Sequence, residues 1–416
     1  MKIYKFGGAS VKSADGVRNL EKIVGNVNDN VVVVVSAMGK MTNALECVVN
    51  SFFNKKPDMG QNIEKVIAYH EEIIENLFGE NRVSVDMMIE ELFSNLRDVK
   101  NQKPSLSYDY EYDRIVSFGE LMSTTIVAAY LQSRGLEAEW IDIRRCIITD
   151  QNYREGNVDM ELSRKLSREA MHGKKLCITQ GFIAGTTTNQ TTTLGREGSD
   201  YTAAILANLL DAESVTIWKD VPGVMNADPK KYKDVQIIPV LSYKEAIELS
   251  YCGASVIHPK TVKPLQNKKI PLYVRSFIEP EKAGSAICNY TQPIDLPPIY
   301  INKGNQVLLS LTPRDFSFIA EERLSKIFGV LASYRLKSSL VQTSAISFSL
   351  CVDYNEVNFQ KMIDELRDEY EVLYNTDVEL ITIRHYTKEI VDKLVGEKKV
   401  YVEQRNRLTA RFIIGN

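Results

Sequence analysis

Val31-Val32-Val33-Val34-Val35, which runs directly into Ser36, is the stretch of sequence that decides the fold class. Five consecutive β-branched residues favour a strand, and the lack of polar alternation predicts that both faces of this strand are buried. Similar short apolar runs occupy residues 3–6, 176–179 and 215–218, and stretches with a helical spacing of apolar residues separate them. This alternation predicts an α/β fold with a mainly parallel sheet.

Glycine or polar residues follow each of these four predicted strands. Gly7-Gly8 follows the first, Ser36 the second, Gly181 the third and Lys219-Asp220 the last. Because ligands of open parallel sheets bind beyond the carboxyl ends of the strands, we expect these positions to line one cleft. The GxGxxG and GxxxxGK[ST] signatures are absent, so neither a dinucleotide-binding protein nor a P-loop protein is indicated.

The loop Gly195-Arg196-Glu197-Gly198-Ser199-Asp200 leads into an apolar helix. We expect Ser199 to cap that helix, whose free N–H groups and partial positive charge would attract an anion such as phosphate. A capped helix with an incidental charge pair explains the same residues equally well.

Lys5 lies inside an otherwise apolar strand, where a charge is costly without an anionic partner. It is either a cation that reaches bound phosphate or an edge-strand lysine that points to water. Glu120 is expected in the first turn of an apolar helix, where the helix dipole alone would explain it. Glu120 and Arg196 could also bind the ammonium and carboxylate groups of an α-amino acid.

Composition and charge exclude several other classes of protein. The chain has 416 residues, 44% of them hydrophobic, and a net charge of −3, which argues against a nucleic-acid-binding protein. No signal sequence opens the chain, and the most conspicuous apolar run is far too short to cross a membrane, so we expect a cytoplasmic protein. The six cysteines form no CxxC pair and are expected to be buried, reduced thiols. The four histidines form neither a metal-binding pattern nor a pattern typical of a catalytic triad.

Residues 287–305 contain three prolines and little periodicity, so we place the main domain boundary there. The predicted domains are residues 1–295 and 303–416. The second is expected to be α+β, with strands at 306–311, 345–352, 378–383 and 399–403 and helices at 318–335 and 358–370. Modules of this kind often bind small molecules, although a packing or dimerisation role fits equally well.

Five motifs in the first domain, together and in order, resemble those of the aspartokinase family. They are Lys5-Phe6-Gly7-Gly8-Ala9-Ser10, Ser117-Phe118-Gly119-Glu120, Gly195 to Asp200, Asp220-Val221-Pro222-Gly223-Val224 with Ala227-Asp228-Pro229, and Gly253-Ala254 with His258-Pro259-Lys260. The resemblance implies the three-layer α/β/α amino-acid kinase fold. It also implies transfer of the ATP γ-phosphate to the side-chain carboxylate of L-aspartate, the first step toward lysine, threonine and methionine. The tail resembles the family's ACT-type regulatory region, with one full and one shortened module, and implies a homodimer and an amino-acid effector.

The resemblance also implies roles for individual residues. Lys5 would stabilise the transferred phosphoryl group, and Asp200 would orient Lys5. The residues that would hold aspartate are Ser36, Thr42, Glu120, Arg196 and Ser199. The residues that would surround ATP are Lys5, Gly7, Gly8, Ser10, Lys219, Asp220, Met225, Lys230 and Lys260. Mg²⁺ would be carried mainly on the ATP phosphates, so no protein metal site is expected.

Some positions depart from the family pattern. Lys219 stands where Thr is usual, Met225 where Tyr is frequent, Lys230 where Arg is customary and Glu197 where Gly is frequent. In the tail, Ser339 and Ala345 replace residues that are acidic in lysine-sensitive relatives. We therefore expect weak or altered inhibition by lysine.

Two alternatives to this assignment stay open. One is another carboxylate or nucleotide kinase of the same fold, and the other is a non-catalytic amino-acid sensor. The presence of both Lys5 and Asp200 disfavours the sensor. The length of the chain leads us to expect no homoserine dehydrogenase domain.

Overall fold

The computed structural model describes residues 1–254, 257–290 and 295–415. These residues form two compact units. The first unit contains residues 1–224, 237–250 and 257–290, and the second contains residues 225–236, 251–254 and 295–415. The division into catalytic and regulatory domains at 1–295 and 303–416 stays a prediction about the roles of these units.

The strands of the first unit form one large and one small sheet. They are β1 Lys2–Phe6, β2 Val31–Val35, β3 Ala138–Ile141, β4 Ile148–Thr149, β5 Leu176–Gln180, β6 Ile183–Thr186, β7 Thr191–Thr193, β8 Ser214–Lys219, β9 Val240–Ser242, β10 Leu272–Ser276 and β11 Ser285–Cys288. Eight of them form a sheet in the order β3-β5-β2-β1-β8-β10-β11-β9, and every neighbouring pair is parallel except β10 and β11. The predicted parallel sheet is confirmed, and all five valines of β2 are buried as expected.

Nine helices accompany these strands in the described part of the chain. They are α1 Ala14–Gly25, α2 Met41–Phe53, α3 Met59–Phe78, α4 Val83–Asp98, α5 Tyr108–Ser133, α6 Met160–Met171, α7 Gly198–Leu209, α8 Tyr243–Tyr251 and α9 Pro259–Lys268. By length and composition α5 could cross a membrane, but 89% of its most apolar window is buried inside the protein. Its apolar character is therefore that of a core helix.

The Thr-rich stretch before the Gly195 loop forms a hairpin. Strands β6 and β7 pair antiparallel, and β4 extends them into a three-stranded sheet. The hydroxyl groups of Thr149 and Thr192 lie 2.6 Å apart in this sheet, and both residues are buried. The Thr-rich stretch is thus part of an ordered sheet.

The second unit is an antiparallel sheet with three helices. Its strands are β12 Ile299–Pro313, β13 Ser338–Thr343, β14 Phe348–Asp353, β15 Tyr370–Arg384, β16 Lys399–Arg405 and β17 Thr409–Gly415, in the order β13-β14-β12-β15-β17-β16. Its helices are α10 Glu321–Ser333, α11 Glu356–Leu366 and α12 Lys388–Leu394. This α+β arrangement agrees with the predicted fold class.

Some boundaries predicted for the second unit are wrong. Residues 299–303, assigned to the linker, form the first part of β12, and residues 291–294 of that linker lie outside the described residues. Tyr370 begins β15 instead of ending a helix. Among the cysteines, which are all free thiols, Cys47 is exposed and Cys288 is half-buried, whereas the other four are buried as expected.

Candidate active site

The four predicted strand-end positions lie at one edge of the large sheet. Strands β5, β2, β1 and β8 are consecutive neighbours and parallel, so the residues that follow them emerge side by side. The backbone N–H of Ser36 donates to the carbonyl of Phe6 (3.1 Å), and that of Gly181 donates to the carbonyl of Val35 (2.9 Å). The expected convergence of these positions is therefore confirmed.

Gly7 and Gly8 provide backbone without side chains beside the Lys5 ammonium group. A Cβ atom on Gly7 would lie 3.4 Å from Lys5 Nζ. A Cβ atom on Gly8 would lie only 2.7 Å from the carbonyl oxygens of Ala37 and Gly39, so a side chain is excluded there. Close approach of backbone and an ammonium group suits the binding of phosphate oxygens.

Asp200 pairs with two lysines. Lys5 Nζ lies 2.7 Å from its Oδ1, and Lys219 Nζ lies 3.7 Å from its Oδ2. Burial alone would raise the pKa of the Asp200 carboxyl group, but the two ammonium groups outweigh burial and hold that pKa below its usual value. Asp200 is therefore an anion that keeps two cations at the sheet edge.

Glu197 is the residue immediately before α7 and adopts the left-handed conformation, with φ of 57°. Burial, together with the nearby charge of Asp200, raises the pKa of its carboxyl group. No side chain caps α7, which begins at Gly198, so the expectation that Ser199 caps this helix is wrong. Ser199 lies inside the first turn, and its Cβ is so close to Gly181 that no side chain fits at position 181.

Glu120 lies in the middle of α5, not in the first turn of a helix as expected. The helix begins at Tyr108 and is capped by Ser107, whose side chain accepts from the N–H of Tyr110. Glu120 Oε1 accepts from the N–H of Ala37 (3.3 Å), and Oε2 has no hydrogen-bond partner among the described residues. Burial raises the pKa of this carboxyl group to about 8. An unpaired acceptor at the sheet edge suits an incoming ammonium group.

Asp113 is a buried acid that the sequence analysis missed. It accepts from the N–H groups of Thr193 and Arg154, both at 2.8 Å, and from the Thr193 hydroxyl at 2.7 Å. Burial raises the pKa of its carboxyl group to about 6. Asp113 precedes Glu120 by seven residues, so both lie on one face of α5, and this spacing is the signal that could have revealed it. Asp113 thereby anchors the segment that leads into Gly195 and Arg196.

The other predicted residues of the first unit have varied surroundings. Ser36 and Thr42 are half-buried, and Thr42 lies in the first turn of α2. Ser10 is buried, and its N–H donates to the carbonyl of Gly7 (2.9 Å). Arg196, Asp220 and Lys260 are exposed, and Lys260 lies in the first turn of α9. These exposed groups are accessible to a charged ligand.

Met225 and Lys230, predicted nucleotide contacts, belong to the second unit, unlike the other predicted site residues. Met225 is half-buried and Lys230 is exposed, with its N–H donating to Asp228 Oδ1 at 2.9 Å. Their place in a nucleotide site stays a prediction.

The residues of the first unit fit a nucleoside triphosphate better than a protein-bound metal. The glycine-lined backbone and the ammonium groups of Lys5 and Lys219 supply positive charge for phosphate oxygens. Among the described residues, no three His, Cys, Asp or Glu side chains lie close enough together to hold a metal ion.

Comparison with known proteins agrees with this arrangement. The model of the amino acid kinase family matches residues 1–276. Lysine-sensitive aspartokinase 3 of Escherichia coli is 32% identical over 357 residues, which cover 84% of this chain and 78% of that protein. Aspartokinase of Chlamydia pneumoniae is 29% identical over 92% of this chain and 84% of its own length. The chain spans only 32% of the bifunctional aspartokinase/homoserine dehydrogenase 2 of Arabidopsis thaliana, with 33% identity.

Solved structures give the same result for the fold. The crystal structure of E. coli aspartokinase III with aspartate and ADP has a TM-score of 0.84 and 28% identity, and the match covers 100% of this chain and 96% of that one. Aspartate kinase of Clostridium acetobutylicum, at 21% identity and a TM-score of 0.79, shares the fold.

The fold and the sheet-edge site thus define a phosphotransferase, and the chain belongs to the amino acid kinase family. Within that family, it is a member of the aspartokinases.

Proposed function

We propose that this protein is an ATP-dependent kinase that phosphorylates the side-chain carboxylate of L-aspartate, giving 4-phospho-L-aspartate and ADP. The observation that carries the proposal is the pair formed by Lys5 and Asp200, buried at the sheet edge beside the Gly7-Gly8 backbone. The E. coli relative, whose structure holds aspartate and ADP, supports the same reaction.

The chemistry of a carboxylate acceptor matches the residues at this edge. A side-chain carboxyl group has a pKa near ~4 and is already ionised at neutral pH, so no general base is needed. Transfer then depends on positioning and on neutralising the negative charge that spreads over the phosphoryl oxygens. Lys5 would supply that charge, and Asp200 would fix the direction of its ammonium group. Mg²⁺ bound to the ATP phosphates would add further charge neutralisation.

Substrate recognition would combine a buried acid and an exposed guanidinium. Glu120, whose Oε2 has no hydrogen-bond partner among the described residues, would accept the ammonium group of aspartate. Arg196 would bind a carboxylate in bidentate fashion. Ser36, Thr42 and Ser199 would add hydroxyl contacts. Gly7, Gly8, Ser10, Lys219, Asp220 and Lys260 would surround ATP.

We further propose that the second unit is regulatory and responds weakly or differently to lysine. The E. coli relative is named lysine-sensitive. In this chain the hydroxyl of Ser339 accepts from Lys303 Nζ (2.8 Å), which also pairs with Asp353 Oδ1 at 2.6 Å. A lysine effector would thus meet an ammonium group beside position 339 in place of a carboxylate, which weakens its binding. We also propose a cytoplasmic homodimer.

The test is ATP-dependent acyl phosphate formation, trapped with hydroxylamine, with aspartate, glutamate and N-acetylglutamate as acceptors. Each reaction is run with and without lysine and threonine. Turnover with aspartate alone supports the proposal, and preference for another acid would assign the chain to a sister kinase. Absence of turnover with every acid would favour a binding protein without catalysis. Strong inhibition by millimolar lysine would contradict the regulatory proposal.

A further inference from the structure

Tyr69, on helix α3, reaches two of the loops that follow the central strands. Its hydroxyl donates to the backbone carbonyl of Lys12 at 2.6 Å. Lys12 lies in the loop that connects β1 to α1 and contains Gly7, Gly8 and Ser10. One phenol group thus ties α3 to the loop proposed to hold phosphate.

The same hydroxyl also lies against the loop that follows β2. Gly39 has a φ of +57°, and a Cβ atom on it would lie only 2.5 Å from the Tyr69 hydroxyl oxygen. The N–H of Gly39 donates to the carbonyl of Gly8 at 2.9 Å. The two loops therefore touch through their backbones, and Tyr69 sits where they meet.

Packing against the core holds helix α3, and with it Tyr69, in place. Its inward face is buried, with seven side chains that include Val66 and Ile73, which lie three residues before and four residues after Tyr69 along the helix. Tyr69 itself is half-buried at the edge of this face, so its ring is held by packing while its hydroxyl faces the loops. A side chain fixed in this way loses little entropy when it makes its hydrogen bond.

We propose that Tyr69 is a positioning residue that keeps the phosphate-binding loop 7–12 in register with the acceptor-binding loop 36–39. The inference rests on the proposed kinase function, since it needs one loop to hold ATP and the other to hold the amino acid. The distance between donor phosphorus and acceptor oxygen depends on both loops, so loosening their contact reduces the rate of transfer more than the affinity for either substrate.

The test compares Tyr69→Phe with Tyr108→Phe, a matched control in the same unit. The Tyr108 hydroxyl also makes one hydrogen bond, 2.8 Å from Asn50 Oδ1. We expect Tyr69→Phe to lower kcat roughly tenfold, with both KM values changed by less than about twofold. Tyr108→Phe should leave kcat unchanged, and both variants should have similar melting temperatures.

A second measurement follows the loops without relying on activity. The amide of Gly39, which donates to Gly8, should exchange its hydrogen faster in Tyr69→Phe than in the control. Unchanged kcat and exchange would overturn the proposal, as would a loss of kcat that the control shares. A Tyr69→Leu variant that is slow while Tyr69→Phe is normal would assign the effect to ring packing and would also overturn it. If the parent enzyme is inactive, that result contradicts the proposed function. Hydrogen exchange still tests the contact made by Tyr69, because it does not depend on turnover.

Discussion

Lys5 Nζ lies 2.7 Å from Asp200 Oδ1, and the two side chains are only 11% and 2% exposed. An ion pair so nearly removed from water is strongly directional, because few water molecules compete for the ammonium hydrogens. The carboxylate therefore holds the ammonium group at the carboxyl end of β1, where the glycine backbone leaves space for phosphate.

Replacing Lys5 by Met should lower kcat about 10²-fold to 10³-fold, the usual cost of removing one donor to developing negative charge. Lys2→Met, at the other end of the same strand, is the control, since Lys2 pairs with Asp29 at the surface. The hydroxylamine assay with saturating aspartate measures both variants. Near-normal turnover of Lys5→Met would exclude the proposed role of Lys5.

Lys219 brings an ammonium group and Glu197 a carboxyl group close to Asp200, so the effects of their mutations should be coupled. Lys219→Thr leaves two carboxyl groups with Lys5 as the nearest paired cation, so we expect kcat/KM for ATP to fall. Glu197→Gly removes one of those carboxyl groups and should restore part of that loss. A double-mutant cycle should give a coupling energy of about 1 kcal/mol. Strictly additive effects would show that the two side chains act independently.

Glu120 should make aspartate binding depend on pH. Its pKa of about 8 means that the carboxyl group is mostly protonated at pH 6 in the absence of substrate, whereas an ammonium group binds the ionised form. The KM for aspartate should therefore fall roughly 50-fold between pH 6 and 8, because the ionised fraction rises from about 1% to about 50%. Glu120→Gln should have a higher KM that varies little with pH. The KM for ATP over the same range is the control, and parallel changes in both would refute the assignment.

His70 should make the protein sensitive to acid. Its ring is fully buried, Nδ1 lies 2.7 Å from the carbonyl of Val66, and burial lowers the pKa of the ring to about 4. Because the folded pKa lies below the unfolded value of about 6.5, the stabilisation from neutral His70 is complete above pH 6.5 and is lost as pH falls toward 4. The loss amounts to about 2 kcal/mol at pH 5.

Urea unfolding at pH 7.5 and pH 5 tests this expectation. His70→Leu should lose less stability than the parent between the two pH values, because a leucine cannot take up the proton. His172→Leu, at an exposed histidine that directly follows α6, is the control and should behave like the parent. Equal acid sensitivity of all three proteins would contradict the role of His70.

The central sheet was predictable because its signals are local. A run such as Val31–Val35 can be buried on both faces only in a covered parallel strand, and the residues after such strands must share one edge. The surroundings of Glu120 and Ser199 were not predictable in this way. Gly119 resembles a helix boundary, yet a Cβ atom there would lie 3.0 Å from Ala37 Cβ and Leu45 Cδ1, so its small size serves packing inside α5.

Long-range contacts account for other features that the sequence analysis did not predict. Asp113 accepts hydrogen bonds from Arg154 and Thr193, which follow it by 41 and 80 positions in the sequence. No local sequence pattern indicates those partners. Likewise, residues 299–303 lack the alternation expected of a half-buried strand, and they form one because residues 380–384 pair with them. Tertiary pairing there overrides a weak local preference.

The strand Ile299–Pro313 also has a consequence for synthesis of the chain. Its first part pairs with residues 380–384, and those residues pair in turn with 409–413. During synthesis, this part of the sheet cannot be completed until residues 409–415 have been translated and have left the ribosome. Its apolar residues, such as Ile299 and Tyr300, stay without their native cover during that interval, when a chaperone or a neighbouring nascent chain can reach them.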